Sequence, residues 1–445
     1  MRILFITNGF PPHRWAGTET YTAGLAKELN RRGHNVQVLC VADWQSGLKY
    51  WNGYVDDIYD GIPVKRLNYN WTKAPDPNKY LYNNPVSAGF LTDYLAQIRP
   101  DLVHVTSCET LSASVLQVVK ASRLPSVLSL TDFWFLCPRI NLLKSDNTNC
   151  DGITSAWDCL QCQYLNEKKY TLPEMLLPES VLKTKIMKIS KSPNFTRWRG
   201  LRGKAFDMED RKAFLYQAIN LPDVRITASS FVKDIFIRNG INGTIKVQPY
   251  GHDLSWLTGA SGKKSSNKVR LGFIGQIIES KGVHILLQAV QSLQALSDSK
   301  LSLYIYGNPQ HNLSYTANLL SVSENLDNVN FCGTYLHENS AAIFSNLDVL
   351  VVPSLWYDFP LIIYEAFATR TPVIATDLGG MAEAVTHNVS GLLFERGNID
   401  DLANQLQRIT DEPGLIERLR DGVPPVKRIE EEVTELELIY QQLVK

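Results

Sequence analysis

Short apolar, β-branched runs alternate with helical patterns along this chain, and the alternation starts twice. The first series is "RILFIT" (2–7), "NVQVLCV" (35–41), "DLVHVT" (101–106), "SVLSL" (126–130) and "VRITAS" (224–229). Between its first two runs, Tyr21, Leu25 and Leu29 recur at i, i+4 and i+8, one apolar helix face that ends near Gly33. Strands separated by helices read as parallel strands covered on both faces. After "GASGKKSSNK" (259–268), a small polar linker, the series restarts. The new runs are "VRLGFIG" (269–275), "LSLYIYG" (301–307), "NVNFCG" (328–333), "LDVLVVPS" (347–354), "PVIAT" (372–376) and "GLLF" (391–394). At 445 residues the chain exceeds the roughly 250–300 residues of a single core. The expected fold class is therefore α/β, as two doubly wound Rossmann-like domains. We place them at 1–250, with a Cys-rich and basic insertion at about 137–215, and at 251–426. A last helical pattern, 427–445, could pack on either domain. Such sheets bind ligands beyond the carboxyl ends of their strands, and two such domains face to face make a cleft.

Charge and composition narrow the partners. Forty-five basic and 45 acidic residues cancel, so global charge does not point to nucleic acid. No apolar run reaches the roughly 20 residues of a membrane span. The start "MRILFITNGF" reads as a first strand rather than a signal peptide. A cytoplasmic protein is expected, and its seven cysteines then argue against a disulfide framework.

Three stretches just after strands carry candidate chemistry. In "TNGFPPHRWAGTET", Gly17 allows backbone to approach a ligand, and the helix that follows favours an anion. An ordinary strand–helix turn is the competing reading. "FIGQIIESKGVHILLQAV" repeats the design, with Gln276 and Lys281 in the loop. Lys281 either neutralises a diphosphate or is a solvated surface lysine. In "VVPSLWYDFPLIIYEAF", Pro360 suits the first turn of a helix, which leaves the N–H groups of Leu361 and Ile362 for phosphate. Glu365, about one turn in and among apolar neighbours, suits a ribose diol. Asp358, on the loop, either meets sugar hydroxyls or caps the helix.

With "FPP…AGTET…LAKELNRRGHNV", "DLVHV", "DFWFLCPR", "FIG…SKGVHILLQAV", "VVPSLWYDFPLIIYEAF", "TPVIATDLGGMAEAV" and "GLLFERGNIDDLA" in this order, the chain resembles the GT-B-fold glycosyltransferases of family 4, the large retaining family. The resemblance implies a nucleotide-sugar donor on the second domain and a glycan, lipid-linked or small-molecule acceptor on the first. Gly17 and Lys281 would meet the donor diphosphate, and Glu365 the nucleotide ribose. Gln276, Phe359, Pro360, Leu361, Ile362 and Gly380 would complete the donor site. Asp358, Lys281 and Asp132 would be the catalytic group, with Thr131, Asp132 and Arg139 on the acceptor. No metal or other cofactor is expected in catalysis, in keeping with the absence of Asp-x-Asp. Four positions depart from the family pattern. Asp358 and Glu365 are seven apart instead of eight, Thr131 stands where His is common, Gln276 where Arg is common, and Ala16 replaces a second glycine. The alternatives are a GT-B epimerase or phosphorylase, or a degenerate nucleotide-sugar-binding protein.

Two further features stand apart. Cys137, Cys150, Cys159 and Cys162 lie within 26 residues and are candidate ligands of a structural zinc ion. A redox pair at Cys159/Cys162 and buried free thiols are the other readings. From 181 to 206 every charge is positive and apolar side chains are interleaved. That pattern suits either peripheral contact with an anionic membrane face or a solvated helix pair near the acceptor, with RNA contact weakly supported.

Overall fold

The computed structural model describes all residues except 46, 153, 165–200, 258–261, 265, 295–299, 325 and 357–359, and the side chains of 164, 201–206 and 294. The chain forms two compact units, Met1–Tyr250 with Ile429–Lys445, and Gly251–Arg428.

The first unit holds an eight-stranded sheet: β1 Arg2–Ile6, β2 Asn35–Asp43, β3 Trp51–Tyr59, β4 Ile62–Tyr69, β5 Leu102–Val105, β6 Ser126–Ser129, β7 Val224–Thr227 and β8 Ile245–Val247. Its order is β3-β4-β2-β1-β5-β6-β7-β8, and every pairing is parallel except β3 with β4. Helices α1 Gly17–Arg31, α2 Pro85–Ile98, α3 Ser114–Ala121, α4 Ala156–Tyr164, α5 Leu201–Ala218 and α6 Ser230–Arg238 connect or follow the strands. Tyr21, Leu25 and Leu29 form the buried face of α1, as their spacing requires.

The C-terminal helix Ile429–Leu443 belongs to this unit. Its Ile429, Val433, Leu436 and Tyr440 share one core cluster with the α1 face. Glu432, fully buried, accepts a 3.0 Å bond from the Tyr21 hydroxyl. Arg32, at the end of α1, reaches Glu437 at 2.7 Å and the Thr434 hydroxyl at 2.9 Å. Apolar burial supplies the attachment and these polar contacts set its register.

The sequence reading missed the β3–β4 hairpin. β3, "WNGYVDDIY", is an edge strand with mostly exposed or half-exposed side chains, so it lacks an apolar run. Its signal was the two-residue turn Asp60-Gly61, both at positive φ (48° and 76°), which is the turn chemistry of a tight hairpin. The hairpin also supplies Arg66, which is 1% exposed. Arg66 pairs with Asp57 at 2.7 Å and donates to the carbonyls of Phe10 and Pro11, tying down the loop after β1.

The second unit holds β9 Val269–Ile274, β10 Leu301–Tyr306, β11 Val329–Gly333, β12 Val349–Val352, β13 Val373–Thr376 and β14 Gly391–Phe394. All run parallel in the order β11-β10-β9-β12-β13-β14. Its helices are α7 Val283–Gln294, α8 Leu313–Ser323, α9 Ser340–Ser345, α10 Leu361–Ala368, α11 Gly379–Ala384, α12 Ile399–Asp411 and α13 Leu415–Asp421. β12 and β13 are buried throughout, which explains why they read as unbroken apolar runs. Strand order reverses between β9 and β12 here and between β1 and β5 in the first unit, and a doubly wound sheet opens a ligand crevice at such a reversal. No helix among the described residues is long and apolar enough to cross a membrane.

Candidate active site

At the reversal in the second unit, the loop after β9 is fastened to the loop after β12. The Leu355 N–H donates to the Ser280 carbonyl at 2.8 Å, and the Ser354 hydroxyl reaches the same oxygen at 3.3 Å. Gly282 makes the approach possible. Its φ is +72°, and a Cβ there would stand 1.9 Å from the Pro353 carbonyl oxygen. No L side chain fits. Lys281, just before it, holds its ammonium 5.4 Å from the centroid of the Trp356 ring. The Trp356 indole N–H is buried and has no acceptor among the described residues. Gln276 is exposed.

Pro360 is the residue that caps α10 rather than the first helical residue, at φ −77° and ψ 110°. That differs from the expected first-turn position by one residue, with the same consequence. The Ile363 N–H turns back to the Pro360 carbonyl at 3.1 Å, while the N–H groups of Leu361 and Ile362 have no acceptor among the described residues. Glu365 lies further along this helix. Its carboxylate makes no hydrogen bond among the described residues, and burial pushes its pKa up to about 7. Gly380 is buried in the short helix α11, after β13. Asp358 and Phe359 lie outside the described residues.

The reversal in the first unit is built from side chains. Asn8, after β1, donates to Glu19 and to Glu109, each at 3.1 Å. Thr22 meets Thr106 at 2.7 Å, and the Thr110 hydroxyl donates to the Asn8 carbonyl at 2.8 Å. Burial first, and then the neighbouring Glu109, pushes the Glu19 carboxyl up, although Arg14 and Asn8 oppose this. Asp132 accepts the Trp134 N–H at 2.8 Å, and burial pushes its carboxyl up to about 7, with Glu109 and Glu19 adding to the rise. Gly17 opens α1 without a side-chain cap before it, and a Cβ at this position would meet nothing within 4 Å. Packing therefore gives no reason for a glycine here.

Thr131 occupies a structural tie. Its hydroxyl donates to the Thr106 carbonyl at 3.0 Å and accepts from Thr18 at 3.1 Å, joining the ends of β5 and β6 to the start of α1. Arg139 lines a cavity of about 580 Å³ in this unit and donates through Nε to the Leu143 carbonyl at 3.1 Å. Asn8, Glu19, Glu109, Asp207 and Arg211 escaped the sequence reading. Asn8 and Glu19 lie within the stretch "TNGFPPHRWAGTET", where Gly17 alone was singled out, while Glu109, Asp207 and Arg211 sit in no motif with characteristic spacing, and only the fold brings the five together.

The zinc reading finds no support among the described residues. Among the described residues no group of three or more His, Cys, Asp or Glu side chains is placed to hold a metal ion. Cys137, Cys150, Cys159 and Cys162 are free thiols. Cys150 accepts the Gly152 N–H at 3.4 Å, and Cys159 pairs with the Thr154 hydroxyl at 3.1 Å. Burial pushes the Cys137 and Cys159 thiols up, and Cys159 lies within electrostatic reach of Cys137, Cys150 and Cys162. In the basic stretch 181–206, residues 181–200 lie outside the described residues, as do the side chains of 201–206.

Comparison with known proteins places this geometry. Residues 259–423 match the family model for glycosyl transferases group 1, and residues 16–145 match a glycosyl transferase 4-like domain. An uncharacterized glycosyltransferase of Methanocaldococcus jannaschii is 22% identical over 424 residues, which cover 94% of this chain and 91% of that one. A D-inositol 3-phosphate glycosyltransferase of Pseudarthrobacter chlorophenolicus is 32% identical over 178 residues, covering 38% of this chain and 42% of that relative. Among solved structures, sucrose-phosphate synthase from Thermosynechococcus elongatus superposes with a TM-score of 0.65 at 18% identity, covering 100% of this chain and 99% of that one. Anabaena HepE in complex with UDP and glucose gives 0.64 at 16% identity, with both chains covered in full. These structural likenesses speak for the fold. With both α/β units matched by glycosyl transferase models in the expected order, the chain belongs to the group 1 glycosyl transferases and has the GT-B fold.

Proposed function

We propose that this glycosyltransferase takes a nucleotide sugar on its second unit and transfers the sugar, with retention and without a metal ion, to a hydroxyl of an acceptor held by its first unit. The observation that carries the donor reading is the set of groups around the β9–β12 reversal. Lys281 is set by Gly282 and lies beside Trp356, two helix N–H groups lack acceptors among the described residues, and the Glu365 carboxylate lacks a donor there. The first two suit a diphosphate, and the third suits the paired hydroxyls of a ribose. Related folds carry such ligands: HepE holds UDP and glucose, and starch synthase IV of Arabidopsis thaliana holds ADP and acarbose.

In this reading the bond between the anomeric carbon and the diphosphate oxygen breaks while the acceptor oxygen bonds to the same face of that carbon. The acceptor proton passes to the departing phosphate oxygen. No side-chain nucleophile is needed. Lys281 and the start of α10 stabilise the charge growing on the diphosphate. Asp358 orients the transferred sugar, and Asp132 stands on the acceptor side. Glu365 must be ionised to accept two hydroxyl bonds, so donor affinity rises with pH through about 7.

Thermal shift with UDP, GDP, ADP and TDP, without added metal, tests the assignment. One nucleotide should raise Tm in the wild type and leave Glu365→Ala unmoved. An equal shift in the variant, or no shift with any nucleotide, overturns it.

A further inference from the structure

The first unit contains a cavity of about 580 Å³, within the range of small-molecule sites. Trp44, Tyr82 and Trp134 supply aromatic wall, and Glu109 and Asp207 supply carboxyl groups. Arg211 also lines it. This guanidinium is 7% exposed and lies over the Trp134 ring, 5.3 Å from its centroid. It donates to the Trp134 carbonyl, and among the described residues no carboxylate forms an ion pair with it. Asp207, one turn earlier on the same helix, instead accepts from the Tyr82 hydroxyl at 3.3 Å. Asp132 influences Arg211 electrostatically without pairing, and its own carboxyl is pushed up towards the neutral form. The thiols of Cys137 and Cys159 also lie close, and burial raises both. A buried arginine that no carboxylate contacts directly among the described residues gains from a ligand that supplies the anion. Arg139 and Arg14, both exposed, add positive charge to the lining.

We propose that this cavity binds the acceptor and that the acceptor is a small sugar or polyol bearing an anionic group, a phosphate ester or a carboxylate, which Arg211 holds with Arg139. The proposal rests on the glycosyl-transfer reading and names its acceptor class. Planar guanidinium groups match both anions, the aromatic walls suit the apolar faces of a sugar ring, and Asp207 and Glu109 accept from hydroxyls.

The test is calorimetric titration of the full chain, at low salt and with the stabilising nucleotide present, using glucose 6-phosphate, glucuronate and glucose. One of the two anionic sugars should bind at least about tenfold more tightly than glucose, as expected for a charge-assisted pair. Preference between the two identifies phosphate or carboxylate as the group read. In Arg211→Gln the advantage over glucose should disappear while the nucleotide-induced thermal shift stays. Arg139→Gln, at an exposed position, should reduce the same advantage about threefold and serves if R211Q does not fold. Equal binding of the three sugars, or no binding of any, with the nucleotide shift intact overturns this proposal and leaves the donor assignment standing. An advantage that survives in both variants also overturns it. Loss of the nucleotide shift in the wild type would instead break the donor assignment.

Discussion

The two strand reversals have the same topology and are finished in different materials. In the second unit the loops are held by backbone, with Gly282 against Pro353 and Ser280 bonded to Leu355. Few polar side chains are consumed, and the Glu365 carboxylate is left without a hydrogen bond among the described residues. In the first unit side chains hold one another: Asn8 bridges Glu19 and Glu109, Thr131 ties three elements, and Arg66 clamps the loop after β1. A site built from backbone exposes fixed N–H groups suited to phosphate, whatever the sugar. A side-chain network changes with each substitution and suits the partner that differs from one transferase to the next.

That contrast can be broken at either end. Arg66→Ala should have the largest effect, a loss of about 3–4 kcal/mol in denaturant unfolding. It orphans two buried carbonyls and removes a long side chain from the core. Gly282→Ala should cost about 3 kcal/mol by the same assay, because the Pro353 carbonyl cannot yield without disturbing β12. If Gly282→Ala proved neutral, the second site would not be backbone-built as described. Glu365→Ala should weaken nucleotide binding about a hundredfold by calorimetry while leaving unit folding intact.

Glu365→Gln separates stability from function. The native carboxyl sits at about 7 against an ordinary value of 4.5. A group raised in this way contributes fully below about 4.5, and that contribution is lost as pH rises through about 7. The variant should therefore match wild type at pH 4.5 and gain about 3 kcal/mol at pH 8 in urea unfolding. An equal gain at both values would show that ionisation is not the cause. The smallest change is expected from Gln276→Arg, which adds a cation at an exposed position and should tighten nucleotide binding by about twofold to fivefold.

The sequence made the sheets legible because buried parallel strands such as Val349–Val352 and Val373–Thr376 are continuous apolar runs. It concealed β3, whose side chains mostly face solvent, and the three-residue β8, too short to carry a pattern. The candidate site residues show the same division. Lys281, Pro360 and Glu365 stand at local positions relative to a strand and a helix, so spacing alone pointed to them. Arg211 and Glu109 reach the first-unit cavity from distant parts of the chain, and no local rule joins them. The cysteine spacing suggested a metal, but each thiol's surroundings are set by tertiary packing that spacing does not report.

The helix Ile429–Leu443 has a consequence in time. It completes the core around α1 and β1, yet the ribosome delivers it only after the whole second unit. At about 5–20 residues per second, that interval is on the order of ten to thirty seconds. Throughout it, the apolar face of Tyr21, Leu25 and Leu29 waits without its final cover, while the second unit, contiguous from Gly251 to Arg428, has every residue it needs to fold first.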